Sequence, residues 1–232
     1  MALVTGASRG IGRAIAVALA EQGAALAITA RSADALEALA RELRSSGATA
    51  EPFVADLRDA AAIERLAAAV DARFGRLDVL VNNAGVGHFA PLSDTSLAMW
   101  DELMALNARA PFLLCRAFVA QLRRAAPGTI VNLASVVGIR GYPGQAAYGA
   151  SKHALVGLSR ALTEELLGER VRVHTICPGG TATDMLRQAR PDLDPGDAIQ
   201  PHEIAELVVF LVTRTGNALI DQVQLRRAAA AP

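Results

Sequence analysis

The 232-residue sequence predicts one α/β domain, with a doubly wound parallel sheet of about seven strands and helices on both faces. Short apolar runs alternate with segments of helical period along nearly the whole chain, which is typical of parallel strands joined by crossover helices. The runs are rich in β-branched residues and apolar on both faces, as expected of strands that helices cover on both sides. Because no linker interrupts the alternation, a single domain over residues 1–227 is predicted.

In the first half of the chain, strands and helices alternate strictly. The predicted strands are residues 2–5, 25–30, 49–55 and 77–81, and the predicted helices are residues 11–22, 33–46 and 59–74. Ile11, Ile15 and Leu19 share one stripe of the first helix, which indicates a face packed on the sheet. Gly47 ends the second helix, as glycine commonly does.

In the second half, two helices precede the fifth strand and a long helix follows it. The predicted elements are helices near 96–107 and 111–124, a strand at 129–133, a helix from Tyr148 to about Leu167, a strand at 172–176, a helix at 201–213 and a strand at 222–225. Segment 181–200, with two prolines and a glycine, is expected to be a mobile lid over the site. Residues 228–232 are expected to be a frayed tail.

Composition limits the classes of function. Lys plus Arg and Asp plus Glu number 23 each, so charge gives no reason to expect nucleic acid or an anionic membrane as a partner. Cys115 and Cys177 lie far apart without ligand spacing, and the four histidines are scattered, so no metal site is predicted. The N-terminus lacks a leader pattern, and polar residues interrupt the most apolar run, 15–30. A cytoplasmic protein is therefore expected.

The loop between the first strand and the first helix carries three glycines in the spacing G-x-x-x-G-x-G. Gly6 permits a tight turn, Gly10 lets the backbone approach a pyrophosphate, and Gly12 lets the helix pack close to the strand. The phosphate would sit at the helix N-terminus, where free N–H groups favour an anion. The loop lacks the Gly-Lys-Ser/Thr ending of an ATP-binding loop. It therefore predicts binding of a dinucleotide.

Tyr148 and Lys152 are four residues apart on a predicted helix and so share one face. A free tyrosine titrates near a pKa of about 10. A nearby cation favours the phenolate, and would bring that pKa toward the range that a general acid or base needs. By itself such a pair is more often a half-buried ring beside a lysine whose amine reaches solvent, so the other motifs decide its interpretation.

Six further residues or short motifs follow the glycine-rich loop in chain order. They are Asp56 after the third strand, Asn82-Asn83-Ala84-Gly85 after the fourth, Asn107 in the next helix, Ser135 at the end of the fifth strand, Tyr148-x-x-x-Lys152, and Pro178-Gly179-x-x-x-Thr183 after the sixth strand. This ordered set, with the loop, resembles the short-chain dehydrogenase/reductase family over about residues 3–225. The resemblance implies a Rossmann-type fold and an oxidoreductase with a nicotinamide cofactor.

The resemblance also implies four catalytic residues. Tyr148 would protonate the carbonyl oxygen during reduction, or act as the base in the reverse direction, and Lys152 would lower its pKa and hold the nicotinamide ribose. Ser135 would hydrogen-bond the substrate carbonyl and help stabilise the developing oxyanion. Asn107 would hold a water that links Lys152 to solvent. The alternative for Asn107 is a helix-breaking side chain bonded to local backbone.

The cofactor would be bound along the whole set of motifs. The implied residues are Gly6, Ser8, Arg9, Gly10, Ile11, Gly12, Arg31, Asp56, Leu57, Asn83, Ala84, Gly85, Tyr148, Lys152, Pro178, Gly179, Thr181 and Thr183. Asp56 would contact the adenine edge, although an aspartate at this place, taken alone, is more often the cap of the following helix. Asn82 could simply brace the sheet.

The choice between NADP(H) and NAD(H) depends on the end of the second strand. An NAD site places Asp or Glu there to accept from the ribose hydroxyls, whereas this chain reads Thr29-Ala30-Arg31-Ser32. Arg9 and Arg31 could hold a 2′-phosphate from two sides, because a guanidinium binds phosphate bidentately. NADP(H) is therefore predicted, with two solvated arginines as the alternative.

The predicted reaction is NADPH-dependent reduction of a ketone, and the chain resembles the 3-oxoacyl-carrier-protein reductases and related ketone reductases. A steroid, a sugar or a quinone-like compound stays open as the substrate. The pocket would be mostly apolar, lined by residues such as Val86, Phe89 and Met185, with ordinary packing as the alternative role of these residues. Two other classes remain open: a nucleotide-binding sensor without turnover, and a hydrolase using Ser135 or Ser151, for which no Gly-x-Ser-x-Gly elbow is present.

A homodimer or homotetramer is expected, through the helix around 108–124 and the Tyr148 helix. The tetramer is less certain because residues 222–227 lack the family's Val-Asp-Gly-Gly-like ending.

Overall fold

The computed structural model describes residues 1–228, in which seven parallel strands form one sheet. The strands are β1 (Ala2–Thr5), β2 (Leu26–Ala30), β3 (Ala50–Val54), β4 (Val79–Asn82), β5 (Gly128–Leu133), β6 (Val171–Pro178) and β7 (Gln222–Leu225). Their spatial order is β3-β2-β1-β4-β5-β6-β7, which confirms the predicted doubly wound, Rossmann-type sheet. The order changes direction between β1 and β4. In such sheets, ligands bind in the crevice beyond the carboxyl ends of the strands at this point.

Eight α-helices connect or flank the strands in the same part of the chain. They are α1 (Gly10–Glu21), α2 (Ala33–Ser45), α3 (Ala60–Phe74), α4 (Leu97–Met104), α5 (Ala110–Ala125), α6 (Ala146–Leu166), α7 (Asp184–Ala189) and α8 (Pro201–Thr213). Side-chain oxygens of Ser32, Asp59 and Ser96 cap α2, α3 and α4 by accepting backbone N–H groups. Such caps satisfy donors that the first helical turn leaves unpaired.

The sheet is covered on both faces. Helices α1, α2 and α8 pack on one face, where Val4 and Ile15 belong to one buried cluster. Helices α3 and α5 pack on the other, where Leu3 and Phe118 belong to a second cluster. Leu3 and Val4 are adjacent in β1 and contribute to opposite cores, because successive side chains of a strand point to opposite faces. This explains why the strands are apolar at nearly every position.

The two helices predicted near 96–107 and 111–124 form one continuous helical stretch. A π-helical turn, Ala105–Arg109, joins α4 to α5, and Asn107 lies at its centre with no exposed surface. A π-helical turn inserts one residue into the helical repeat and often occurs at functional sites. The sequence did not reveal it, because the apolar pattern on either side is helical.

The predicted lid, 181–200, contains the short helix α7, which sequence analysis missed. Its two ends are joined, since Thr181 forms a parallel bridge with Ile199, and Ile199 N–H donates to the Gly180 carbonyl oxygen at 3.0 Å. The other predicted bounds shift by one or two residues, most visibly at β4 and β6. Of the tail predicted at 228–232, residues 229–232 lie outside the described part of the structure.

One helical stretch has the length and composition of a membrane span. Leu97–Ala125 has 29 residues and a window of mean hydropathy 1.4, of which 44% is buried inside the fold. Its buried residues include Leu114 and Phe118, which pack against the sheet. Core packing therefore explains the buried part of this apolar stretch.

Candidate active site

The glycine-rich loop after β1 and the segment after β4 meet at the crevice. Gly6 has φ +65°, and a Cβ atom there would lie 2.9 Å from Ala84 Cα, so the position excludes a side chain. Thr5 Oγ1 accepts hydrogen bonds from the backbone N–H groups of Asn83 and Ala84, each at 3.0 Å, and Asn83 Nδ2 donates to the Thr5 carbonyl oxygen at 2.8 Å. The two loops are thus held together at the ends of their strands.

The first turn of α1 suits a phosphate. A Cβ atom on Gly12 would lie 2.3 Å from the Gly6 carbonyl oxygen, so the helix packs as closely as predicted. No side chain caps the helix at Arg9, and the first turn has no acidic residue. Uncapped N–H groups and the positive end of the helix dipole attract an anion. The residues present therefore fit the nucleotide that the sequence predicted.

Tyr148 and Lys152 lie one turn apart on α6, and both are buried, with 7% and 5% of their surface exposed. Burial raises the pKa of Tyr148 to about 12, and the Ser135 hydroxyl acts in the opposite direction with a smaller effect. Burial lowers the pKa of Lys152 to about 8. The pKa of the phenol is thus set mainly by desolvation, whereas the sequence analysis expected Lys152 to lower it.

Lys152 is the only lysine of the chain. Its Nζ donates to the carbonyl oxygen of Leu133 at 2.9 Å, at the end of β5. Burial is the main cause of the lowered pKa of this amine. A single buried amine is therefore fixed between α6 and the carboxyl ends of the central strands.

Ser135 and Asn107 lie beside this pair. Ser135 is buried and its Oγ accepts the backbone N–H of Val137 at 3.2 Å. Asn107 pairs with the backbone of Val86 in both directions, donating from Nδ2 and accepting at Oδ1, each at 2.9 Å, and its Nδ2 also donates to Ser151 Oγ at 3.0 Å. The Asn107 amide therefore holds the loop after β4, 21 residues away in sequence, and not local backbone.

Gly85 lies where Asn107 and Lys152 approach each other. A Cβ atom on Gly85 would be 3.1 Å from Asn107 Oδ1 and 3.5 Å from Lys152 Nζ. A side chain at this position would crowd the amide and approach the amine. The structure thus brings Asn107, Ser135, Tyr148 and Lys152 to one edge of the sheet, as predicted, while the water proposed at Asn107 stays a prediction.

Asp56 is held by Arg58 and does not cap the following helix, which Asp59 caps. Arg58 contacts both carboxylate oxygens, with Nη2 2.6 Å from Oδ2 and Nε 3.0 Å from Oδ1. This contact is the main cause of the lowered pKa of Asp56, to which Arg31 also contributes. Arg31 therefore lies near Asp56, at the side of the crevice where the sequence predicted the adenosine end of the cofactor.

The other predicted cofactor residues differ in exposure. Ser8 and Ile11 are partly exposed in the glycine-rich loop. Leu57 is 4% exposed and belongs to the core cluster beside α3 and α5, so its side chain is a packing residue. Asn82 is also buried, and its Nδ2 donates to Asn132 Oδ1 at 2.8 Å, which supports the interpretation that it braces the sheet.

The segment after β6 reaches back over the glycine-rich loop. Gly179 N–H donates to the Leu225 carbonyl oxygen at 2.9 Å, which fixes Pro178-Gly179 against β7. Thr183 caps α7, and its Cγ2 would be 3.3 Å from a Cβ atom on Gly10. Arg9 Nη1, predicted to bind a 2′-phosphate, contacts Asp184 Oδ2 of α7 at 3.0 Å. The buried Thr181 donates to the Gly179 carbonyl oxygen at 3.1 Å.

The surroundings of the Tyr148 hydroxyl are apolar. The ring of Phe89 contacts the Tyr148 ring edge-to-face, with centroids 5.4 Å apart, and Met185 Sδ lies 3.9 Å from the hydroxyl oxygen. Val137 and Leu103 are buried in the same cluster. The Arg140 guanidinium stacks over Tyr142 nearby, at 4.7 Å. The Tyr148 phenol therefore lies against an apolar cluster that includes Phe89 and Met185.

Within residues 1–228, no three His, Cys, Asp or Glu side chains lie together as ligands of a metal ion would. Two contributors to the site were not predicted. Thr5, which joins the two loops, carries no signal of its own at the end of an apolar strand, and Glu102, which contacts Arg58, lies on a helix that shows only a packing pattern.

Comparison with known proteins agrees with this geometry. The family model described as short chain dehydrogenase matches residues 1–194. The chain belongs to this family. The resemblance inferred from the sequence is thereby confirmed, and the protein is an oxidoreductase that acts on alcohol or carbonyl groups.

Several short-chain dehydrogenases match nearly the full length. The D-threitol dehydrogenase of Mycolicibacterium smegmatis is 41% identical over 223 residues, covering 92% of this chain and 85% of that protein. The 3-oxoacyl-(acyl-carrier-protein) reductase of Escherichia coli is 36% identical over 221 residues, covering 92% and 89%. The solved alcohol dehydrogenase of Thermococcus sibiricus, complexed with 5-hydroxy-NADP, is 34% identical, with a TM-score of 0.92 over 100% of this chain and 97% of that one.

Proposed function

We propose that this short-chain dehydrogenase reduces a ketone with NADPH, and that Tyr148 gives the proton to the carbonyl oxygen. The observation that carries the proposal is the buried Tyr148 phenol beside Ser135, facing an apolar pocket. Its raised pKa, caused by burial, keeps the proton on the phenol at neutral pH. When bound, the nicotinamide supplies the hydride.

Each neighbouring residue has a role that its contacts support. The Ser135 hydroxyl donates to the carbonyl oxygen and stabilises the negative charge that develops on it. The positively charged amine of Lys152, which Leu133 anchors, favours loss of the phenolic proton at the moment of transfer. The Asn107 amide fixes Val86 at the wall of the pocket. In the reverse direction, Tyr148 accepts the proton of an alcohol.

The preference for NADPH over NADH is supported by the end of β2. Residues 30–32 contain no acid, and the exposed Arg31 lies near Asp56. Arg9 would complete the phosphate site by exchanging its contact with Asp184 for the 2′-phosphate. The solved relative from Thermococcus sibiricus carries a 5-hydroxy-NADP molecule, which agrees with this preference.

The substrate is proposed to be a ketone with an apolar flank, a β-ketoacyl group included. The contacts of Phe89 and Met185 with Tyr148 support this, since both side chains lie where a substrate would approach the phenol. The Escherichia coli relative is a reductase of 3-oxoacyl groups, whereas the Mycolicibacterium smegmatis relative is a dehydrogenase of D-threitol. The polyol is therefore the second candidate class.

The protein is proposed to act in the cytoplasm as a homodimer or homotetramer. A groove of about 720 Å³ lies between the α4–α5 stretch and α6. Its apolar lining includes Ala108, Phe112 and Leu158, and the charged Asp101, Glu102 and Arg109 line the rest. Phe112 is 47% exposed beside it. Burial of an apolar groove and an exposed aromatic ring against a second copy is favourable. Light scattering would test this, with a monomer at all concentrations as the contrary result.

The function is tested by NADPH consumption with a panel of ketones, one of them a β-ketoacyl thioester, together with D-threitol and NADP in the reverse direction. Turnover should vanish in Tyr148→Phe while NADPH binding persists, because only the proton donor is removed. Undiminished turnover in the variant would contradict the role of Tyr148. NADPH binding without turnover of any compound would favour the nucleotide-binding sensor that the sequence left open.

A further inference from the structure

A chain of charged hydrogen bonds joins the turn after β3 to the loop after β4, and the proposed reaction does not use it. Arg58 Nη1 donates to Glu102 Oε1 at 2.7 Å, while its other nitrogens hold Asp56. Glu102 Oε2 contacts His88 Nε2 at 2.8 Å. Glu102 lies on α4. One of its carboxylate oxygens contacts Arg58 and the other contacts His88, although these two residues are 30 positions apart in sequence.

We infer that Glu102 is a positioning residue, which fixes the pocket loop and the cofactor-side turn in one arrangement. The pocket loop is residues 86–90, and the cofactor-side turn is residues 56–58. The inference rests on the proposed function for its kinetic consequences, since these assume that the pocket binds a carbonyl compound and that Asp56 contacts the adenine edge of NADPH, as the family resemblance implies. Its structural content, that one carboxylate holds both segments, is independent of the reaction.

On the pocket side, His88 directly precedes Phe89, whose ring contacts Tyr148. The backbone before it is also packed tightly, since a Cβ atom on Gly87 would lie 2.5 Å from Phe89 Cζ. The imidazole contacts Glu102 and the phenyl ring of the next residue contacts Tyr148. Release of His88 would therefore let Phe89 shift against the catalytic phenol and would change how a carbonyl compound is held.

On the cofactor side, Arg58 holds Asp56 bidentately and also accepts, at its own carbonyl oxygen, a hydrogen bond from Arg109 Nη2 at 2.7 Å. An isolated surface ion pair contributes little. A bidentate guanidinium in a network is better defined in geometry, and the Glu102 side chain is only 27% exposed. Contacts with His88 first and Arg58 second lower the pKa of Glu102, so the carboxylate is charged at neutral pH.

Two variants each disrupt the contact of Glu102 with one of the two segments, and a third changes Glu102 itself. His88→Asn removes the pocket-side contact, and Arg58→Lys keeps the charge but removes the fork that holds Asp56 and Glu102 together. Glu102→Gln keeps the size of the central side chain and removes its charge. Glu165→Gln is the matched control, since Glu165 is exposed on α6 and forms no ion pair within the described residues.

Backbone amide exchange and steady-state kinetics are measured on all four variants. Glu102→Gln should accelerate exchange in both 56–58 and 86–90, and should raise the KM of the carbonyl substrate and the Kd of NADPH by about 3- to 10-fold, with kcat within about twofold. His88→Asn should affect the pocket loop and KM alone, and Arg58→Lys the cofactor-side turn and Kd alone. Glu165→Gln, the control, should change neither amide exchange at the two segments nor the values of KM and Kd.

Unchanged exchange at either segment in Glu102→Gln would overturn the inference. The inference would also be overturned if Glu165→Gln changed exchange, KM and Kd as much as Glu102→Gln does, or if Glu102→Gln lowered kcat alone. If the wild type turns over none of the carbonyl compounds, the proposed reaction fails, but the exchange rates still decide whether Glu102 holds both segments.

Discussion

Lys152 donates a hydrogen bond from Nζ to the backbone carbonyl of Leu133, at 2.9 Å. This bond ties the only amine side chain of the protein to the strand that delivers Ser135. The acceptor is a backbone carbonyl, so no side-chain substitution removes it. The position of the amine therefore depends on the sheet itself. The amine therefore belongs to the rigid part of the site.

Replacement of Lys152 by Met should reduce turnover by about 10²-fold or more, because the cation that favours proton transfer from Tyr148 is lost. The side chain of Met has a similar length and fills the buried space. NADPH oxidation at saturating substrate is the measurement, and a circular dichroism melt checks the fold. Activity within a few-fold of the wild type would contradict the assigned role of the lysine.

Lys152 should titrate near pH 8 in the protein without added ligands, since burial lowers the pKa of its amine to about 8. Its charge is present below that pH and is lost above it, so reduction should slow as the pH rises through this range. Labelling with ¹³C-lysine gives a single side-chain resonance, which allows a direct titration. A midpoint at the ordinary value of about 10.4 would show that the amine is not desolvated.

Arg31→Ala should weaken NADPH binding by about 10- to 100-fold and leave NADH nearly unchanged, because a charged hydrogen bond to the 2′-phosphate is removed. Binding of both cofactors is followed by the change in their fluorescence. Arg41→Ala, an exposed arginine of α2, is the control for net charge. An equal loss of affinity for NADPH and NADH would contradict the assignment of Arg31 to the 2′-phosphate.

Gly12→Ala should destabilise the protein by about 1–3 kcal/mol, because the added methyl would lie 2.3 Å from the Gly6 carbonyl oxygen and 2.4 Å from Asn83 Nδ2. Urea denaturation gives the free energy of unfolding. Gly168→Ala is the matched control, since no atom lies within 4 Å of its added Cβ, and it should stay within about 0.5 kcal/mol of the wild type. Equal free energies of unfolding for Gly12→Ala and Gly168→Ala would show that the glycine-rich loop can shift to admit the methyl group.

His174 should make stability fall at acidic pH. It is 2% exposed on β6, its Nδ1 contacts the Ile220 carbonyl oxygen at 2.6 Å, and its Nε2 has no partner within the described residues. Burial lowers the pKa of this imidazole. The neutral form is therefore favoured on folding, and its stabilising contribution is complete above the unfolded pKa of about 6.5 and is lost as the pH falls through the lower folded value.

The measurement for His174 is the free energy of unfolding in urea at several pH values between about 5 and 7.5. The slope of stability against pH should decrease in His174→Gln, which cannot gain a proton. His202→Gln serves as the control, because His202 is exposed on α8. An unchanged slope in His174→Gln would show that other groups cause the acid dependence.

Most of the fold was predictable because its signals are local. The apolar runs gave all seven strands, and the glycine-rich loop and the Tyr148–Lys152 spacing gave the edge at which the site lies. The short helix α7 and the π-helical turn at Asn107 were missed. Neither changes the apolar period of its surroundings enough to be recognised.

The remaining parts of the site depend on contacts that are distant in sequence. Arg58 and Glu102 are 44 residues apart, and no pattern near either residue indicates the pair. The burial of Tyr148 also depends on the whole fold. The sequence places a cation one turn away, but only the folded structure shows that burial of the phenol is the larger effect.

The rarity of lysine has a practical consequence. All other basic side chains apart from the histidines are arginines, whose guanidinium groups keep their charge throughout the range in which an amine titrates. Reagents that acylate side-chain amines therefore find a single target in this chain, the buried Lys152. The rate of such acylation would report directly on whether the site is open, without any need to know its substrate.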